Sequence, residues 1–234
     1  LFFEMDNLLK ELKTLSDIQI AEHAQRFFKT GIGQYGEGDK FLGIRVPVLR
    51  KKAEKYKYLS LDEISCLLQS QFNEIRLISL FILIKRYEKS DHKHKEEIVS
   101  LYVEKIEFIN NWNLVDSSAP NILGDYLINK KKNLLYKLVY SNNLWERRIA
   151  IMSTFNFIKK GLHTDTIKIA SILINDKEDL IHKAVGWMLR EVGKRDFNIE
   201  IEFLNKYADK MPRTMLRYSI EKFPDDLRKE YLKL

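Results

Sequence analysis

Apolar residues recur every three or four positions along nearly the whole chain, the spacing that gathers them on one face of a helix. The runs are Leu8–Leu15, Ile18–Phe28, Leu61–Leu68, Ile75–Tyr87, Ile98–Phe108, Leu114–Leu127, Leu134–Tyr140, Leu144–Ile158, Ile167–Ile174, Leu180–Val192 and Ile199–Tyr207. Alternating strand patterns are hard to find. Helix starts are marked by Ser16 before Asp17, Ser60 before Leu61, Asn73 before Glu74 and the first-turn proline Pro47. Gly161 after Lys159 and Lys160 reads as a helix stop. The pattern predicts an all-α protein.

Four segments resemble one another: Glu74–Tyr87, Trp112–Leu127, Trp145–Lys160 and Ile181–Arg195. Their starts lie 38, 33 and 36 residues apart, and another amphipathic helix precedes each. A helix pair at that period is close to the HEAT and armadillo range, in which each pair buries its face on the next. The expected architecture is a curved α-solenoid of HEAT-like antiparallel helix pairs with a concave face, one domain over residues 1–234 without a linker. Matching positions carry Arg76, Asp116, Arg148 and Lys183, so polar groups recur at one place in the array.

Five of the nine glycines fall in one loop, Gly31–Val46. It holds a Gly-x-Gly but no preceding strand and no Gly-Lys-Ser/Thr, which excludes a nucleotide-phosphate loop. It reads as a flexible connection, or as a loop laid against a partner through Tyr35, Lys40 and Arg45. On Leu180–Lys194, Lys183, Trp187, Arg190 and Lys194 fall opposite the apolar face. They form either a tryptophan under a neighbouring helix with snorkelling cations, or an aromatic wall beside phosphate-binding cations. Trp112 and Asp116 share one side of a helix. Pro120 has no N–H for the Asp116 carbonyl, so a bend is expected there. Asp116 reads either as a structural carboxylate or as part of a site. Arg148 lies inside the apolar arc of its helix and needs a partner, either an ion pair or a phosphate along a groove.

Composition narrows the classes. The chain of 234 residues is 45% hydrophobic and 31% charged, as in globular proteins, and carries a net charge of +7. That excess fits a polyanionic partner or simply a lysine-rich surface. The lone Cys66 excludes an internal disulfide, and its apolar run suggests a buried structural thiol. No apolar run is long enough for a membrane span, and nothing at the start reads as a signal peptide, so a cytoplasmic address is expected. His92 and His94 lie in a charge run; no metal and no cofactor are expected.

Three segments carry a family likeness: NNWNLVDSSAP, NNLWERRIAI and HKAVGWMLREVGK. In combination, and with FLGIRVPVLRKK after the glycine loop, they resemble the AlkD-like DNA alkylation repair family of HEAT-like DNA glycosylases. The resemblance implies a helical fold that cups duplex DNA. It implies a catalytic Asp116 flanked by Trp112 and Trp187, and it places Arg148 near the DNA backbone. Lys183, Arg190, Lys194, Arg45 and Phe27 are the further expected DNA contacts. Phe27 stands where some members have a tyrosine near DNA, and Asn111 stands where some have a second tryptophan.

The implied activity is hydrolysis of the N-glycosidic bond of cationic N3- or N7-alkylated purines in duplex DNA, leaving an abasic site without strand cleavage. A monomer with no obligate protein partner and no membrane contact is expected. Two other classes fit the repeats: a catalytically silent HEAT-like binder of damaged or branched DNA, and a protein–protein scaffold. A scaffold leaves Trp187 among cations unexplained.

Overall fold

A computed structural model describes residues 3–234. The described residues contain no strand, only an isolated parallel bridge between Lys40 and Phe72. Helices α1 (Phe3–Thr14), α2 (Ile18–Phe27), α3 (Val46–Lys55), α4 (Leu61–Leu68), α5 (Asn73–Lys89), α6 (His92–Glu104) and α7 (Trp112–Ser118) come first. A π-helical turn, Pro120–Gly124, follows. Then come α8 (Asp125–Leu127), α9 (Asn133–Val139), α10 (Leu144–Lys159), α11 (Thr164–Leu173), α12 (Asp179–Gly193), α13 (Phe197–Tyr207), α14 (Arg213–Ser219) and α15 (Asp225–Lys233). Contacts divide them into two compact units, one ending at Ser118 and the other beginning at Ala119. The division falls inside a helical run rather than at a linker.

Each unit is organised around one helix that is apolar on nearly every side. In the first, α5 buries Leu77, Ile78, Leu80, Phe81, Ile82 and Leu83 and touches α3, α4, α6 and α7. In the second, α10 buries Ile149, Ala150, Ile151, Met152, Phe157 and Ile158 and touches α9, α11, α12 and the π turn. Burying one such side chain fully contributes about 1.5–3 kcal/mol. These two helices are the first and third of the repeated segments. Their flanking helices are amphipathic, as the period predicts.

Local signals account for most boundaries. Ser60 forms a full capping box with Glu63, and Gly161 follows the end of α10 with φ of 75°, a conformation that favours glycine. At α2 the cap is Asp17, not Ser16: its carboxylate accepts the N–H groups of Gln19 and Ile20. After α7 the ladder leaves the α pattern at Pro120, and the turn closes through the Gly124 N–H to the Ala119 carbonyl at 2.9 Å. A proline without an N–H is the expected place for such a break. Helices α3, α14 and α15 lie outside the runs read from periodicity; α3 was signalled by Pro47 alone, and all three are short. Cys66 is exposed, contrary to the reading of its apolar run, because the buried stripe of α4 is Ile64, Leu67 and Leu68.

Candidate functional site

The expected site residues fall in two groups, one in each unit. In the first, Trp112 opens α7 and Asp116 lies one turn later; both are half-buried. Trp112 is held in an aromatic cluster. Phe28 stacks on it at 5.0 Å, with Phe41 stacked behind Phe28 at 4.9 Å. Phe27 meets Trp112 edge-on at 6.0 Å. Phe27 is 58% exposed, so the cluster reaches the surface at that ring.

The start of α7 is fixed from below by a buried polar network. Asn111 is fully buried; its side-chain oxygen accepts the Trp112 N–H at 2.8 Å and its amide donates to Asp39 at 2.9 Å. Asp39 also accepts from Asn73 and from Arg76, each at 2.8 Å. Arg76, only 4% exposed, donates further to the Ser70 carbonyl and to Asn110. Asn73 and Asn113 exchange another bond at 2.7 Å. A buried ion pair is tolerated when most of its remaining hydrogen-bonding capacity is met; here the side chains of Asn73, Asn110 and Asn111 and the Ser70 carbonyl meet most of it, and the Arg76 Nε is left without a partner.

Asp39 lies in the glycine loop, so the loop is pinned rather than loose. The buried Glu74 carboxylate pins it again by accepting the N–H groups of Leu42, Gly43 and Ile44 at 2.9, 2.8 and 3.3 Å. Glycine is required where the loop passes closest: a Cβ on Gly43, which also has φ of 83°, would collide with the Asp17 carbonyl. Arg45 follows at the start of α3, exposed and without a side-chain capping bond.

Asp116 has an electrostatic neighbour beneath it. Tyr102 is fully buried and exchanges a hydrogen bond of 2.9 Å with Ser118. Burial pushes its hydroxyl well above the usual tyrosine range, and the Asp116 carboxylate adds to that, while Ser118 pulls it partly back.

In the second unit α12 presents Lys183, Trp187 and Arg190, all half-buried, and the exposed Lys194 follows at its end. Trp187 lies 6.0 Å from Phe155, over which Lys159 sits at 4.4 Å. Each cation has a protein partner. Lys183 pairs with Asp179 at 2.7 Å and holds that carboxyl below its usual range. Arg190 pairs with Glu221, and Lys194 with Glu191 at 2.6 Å. Arg148 is only 5% exposed and donates to the Leu180 carbonyl, so it ties α10 to the start of α12. Its neighbour Arg147 forms the bidentate ion pair, with Asp176.

Sequence reading named Trp112, Asp116, Phe27 and the face of α12 as candidates. It missed Phe28 as the stacking partner of Trp112, Asn111 as the α7 cap, and Asp39 with Arg76 as their anchor. Asn111 carried a signal, since Asn before a helix is a favoured cap. Asp39 carried none, because its partners lie 34 to 72 residues away.

Among the described residues no helix is long and apolar enough to cross a membrane, and no three His, Cys, Asp or Glu side chains gather as metal ligands would.

Comparison with known proteins bears on the whole chain. Residues 8–223 match the family described as DNA alkylation repair enzyme. A solved structure titled as a predicted DNA alkylation repair enzyme from Enterococcus faecalis is similar over 90% of this chain and 97% of that one. Its sequence identity is 16% and its TM-score 0.69, a likeness of fold. No match was found among curated proteins. On a family match that spans nearly its whole length, this chain belongs to the DNA alkylation repair enzyme family.

Proposed function

We propose that the protein is a monofunctional DNA glycosylase that releases cationic N3- or N7-alkylated purines from duplex DNA. The observation that carries the reading is the half-buried Asp116, one turn beyond an aromatic-clamped Trp112, on a helix anchored by the Asp39–Asn111–Arg76 network.

The chemistry asks for little more. Alkylation at N3 or N7 puts positive charge on the purine, which weakens the glycosidic bond and lets the base leave neutral. No general acid is needed to protonate it. A carboxylate placed beside the sugar stabilises the developing oxocarbenium ion and orients the attacking water, as in glycoside hydrolysis. Asp116 takes that role, and the face of Trp112 favours cationic charge by roughly 0.5–2 kcal/mol. Phe27 lies beside Trp112 as an exposed ring for the DNA. Trp187, with Lys183 and Lys194, is a DNA contact of the second unit in its own right. Lys183 and Lys194 exchange solvent-accessible ion pairs for phosphates at small cost. Arg148 and Arg190 act through the positions of α10 and α12. The product is free base and an abasic site, with the strand intact.

The test is release of free base from duplex DNA carrying N7-methylguanine, in EDTA, beside a duplex with a neutral damaged base. Release from the cationic lesion alone, with uncut strands, is the expected result. Equal release from the neutral lesion means that an acid assists departure, and contradicts the mechanism. DNA binding without release from either leaves a silent DNA-binding protein.

A further inference from the structure

Away from α7, the first unit has a cleft of about 180 Å³ lined by Lys57, Tyr58, Lys85, Arg86, Lys89 and Ser90. It lies where the turn after α3 meets the end of α5. Four of its six lining residues are cations. Glu54 is the carboxylate that serves them: it accepts from Lys57 and Lys85, each at 2.5 Å. No carboxylate of the described residues pairs with Arg86 or Lys89. Arg86 spends one terminal N–H on the Leu59 carbonyl at 2.9 Å, and its Nε is buried with no acceptor. The Nε of Arg76, Arg190 and Arg228 is unpartnered in the same way, so it is the surplus of cations over carboxylates that marks this cleft. The Ser90 hydroxyl donates to the Arg86 carbonyl at 2.8 Å, which leaves its lone pairs and not its hydrogen for the cleft. Tyr58 stands at the rim, 81% exposed, with the Lys57 ammonium 5.4 Å from its ring.

A cleft with surplus N–H donors, few acceptors and an exposed aromatic ring suits a phosphodiester whose sugar or base lies against the ring. We propose that this cleft is a second nucleic-acid contact, in which Arg86 and Lys89 hold a backbone phosphate and Tyr58 packs on the adjoining nucleotide. The inference rests on the reading of the protein as a DNA binder, and it adds a contact remote in sequence from Trp112 and Asp116. A backbone phosphate carries no sequence information, so the contact raises affinity uniformly and makes it more salt-dependent.

The experiment is equilibrium binding of the whole chain to duplex DNA of several sequences across a salt series. Variants are Lys89→Ala, Tyr58→Ala and, as a charge-matched control in α1, Lys10→Ala. Lys89→Ala is expected to weaken binding several-fold on every sequence and to lower the slope of log K against log salt by about one. Tyr58→Ala weakens binding with the slope kept. If wild type binds and Lys89→Ala leaves affinity and slope unchanged, or matches Lys10→Ala, the cleft is no phosphate site while the DNA-binding reading stands. If wild type fails to bind any duplex, both are overturned. All three substitutions are at exposed positions, and a thermal melt confirms that the variants are folded.

Discussion

The two units treat buried charge differently. In the first, Asp39 and Arg76 are buried together, and their hydrogen bonds are shared among Asn73, Asn110, Asn111 and the Ser70 carbonyl. In the second, Glu200 on α13 is only 2% exposed and one of its oxygens has no partner. Burial drives that carboxyl up to about 8, and Arg190 only partly pulls it back. Gly193 at the end of α12 makes room for it, since a Cβ there would collide with the Glu200 carboxyl. The multiply bonded network, in which the Arg76 Nε is left without a partner, is tied to the residues that carry the proposed chemistry. The unsatisfied acid is tied only to the packing of α12 and α13. Charge is buried at a cost in both places, but in the first unit it defines where Trp112 and Asp116 stand.

The difference can be broken from either side. Asp39→Ala leaves Arg76 buried without its counter-charge, which costs about 3–5 kcal/mol. Urea unfolding reads that loss, and intrinsic tryptophan fluorescence reports Trp112 released from the Phe27–Phe28 cluster. Asp39→Asn keeps the shape and removes the charge; it is expected to lower turnover of base release more than affinity for DNA. A change in affinity alone means that the network does not position α7.

Glu200→Gln probes the other side. Between the ordinary carboxylate range near 4.5 and about 8, the folded protein keeps a proton that the unfolded chain has lost. Stability contributed by this group is therefore present at low pH and falls as pH rises through that window. The variant loses that slope and gains of the order of a few kcal/mol above pH 8. Denaturant midpoints measured at pH 5, 7 and 9 give the comparison. A parallel pH profile for wild type and variant removes Glu200 as its source.

Phe27→Ala deletes one exposed ring beside Trp112. It is expected to weaken DNA binding by about 1–3 kcal/mol, the range of base–aromatic stacking, and to cost folding about 0.5–1.5 kcal/mol through its lost ring contacts with Phe28 and Trp112. The smallest effects on stability are those of Lys183→Ala and Lys194→Ala, within about 0.5 kcal/mol each, because their ion pairs are solvent-accessible. Each instead lowers the salt slope of DNA binding by about one if its ammonium meets a phosphate. An unchanged slope confines them to their pairs with Asp179 and Glu191.

Periodicity read the helices well because each unit buries its elements on one or more apolar stripes, and a stripe repeats within a few residues. It faltered where the stripe is short, at α3, α14 and α15, and where a small residue borders it, at Cys66. The site was half legible. Trp112 and Asp116 are one turn apart, so their shared side follows from helical geometry. Lys183, Trp187, Arg190 and Lys194 are legible on α12 for the same reason. Their ion pairs were partly hidden: Asp179 and Glu191 are within four residues of their lysines, but Glu221 reaches Arg190 from a later turn. Arg148 was legible as a buried arginine that needs a partner; that it bonds a backbone carbonyl of α12 depends on tertiary packing. Asp39 was least legible, because nothing local distinguishes one acid in a glycine-rich loop from another.

The central claim is that one carboxylate, Asp116, supports glycosidic bond cleavage. Single-turnover base release from duplex DNA containing N7-methylguanine, comparing wild type with Asp116→Asn at saturating protein, tests it most directly. The account predicts that the variant binds the duplex as wild type does and releases base at least about 100-fold more slowly, the scale of losing one electrostatic stabiliser. Release at the wild-type rate by a folded, DNA-bound Asp116→Asn protein would contradict it.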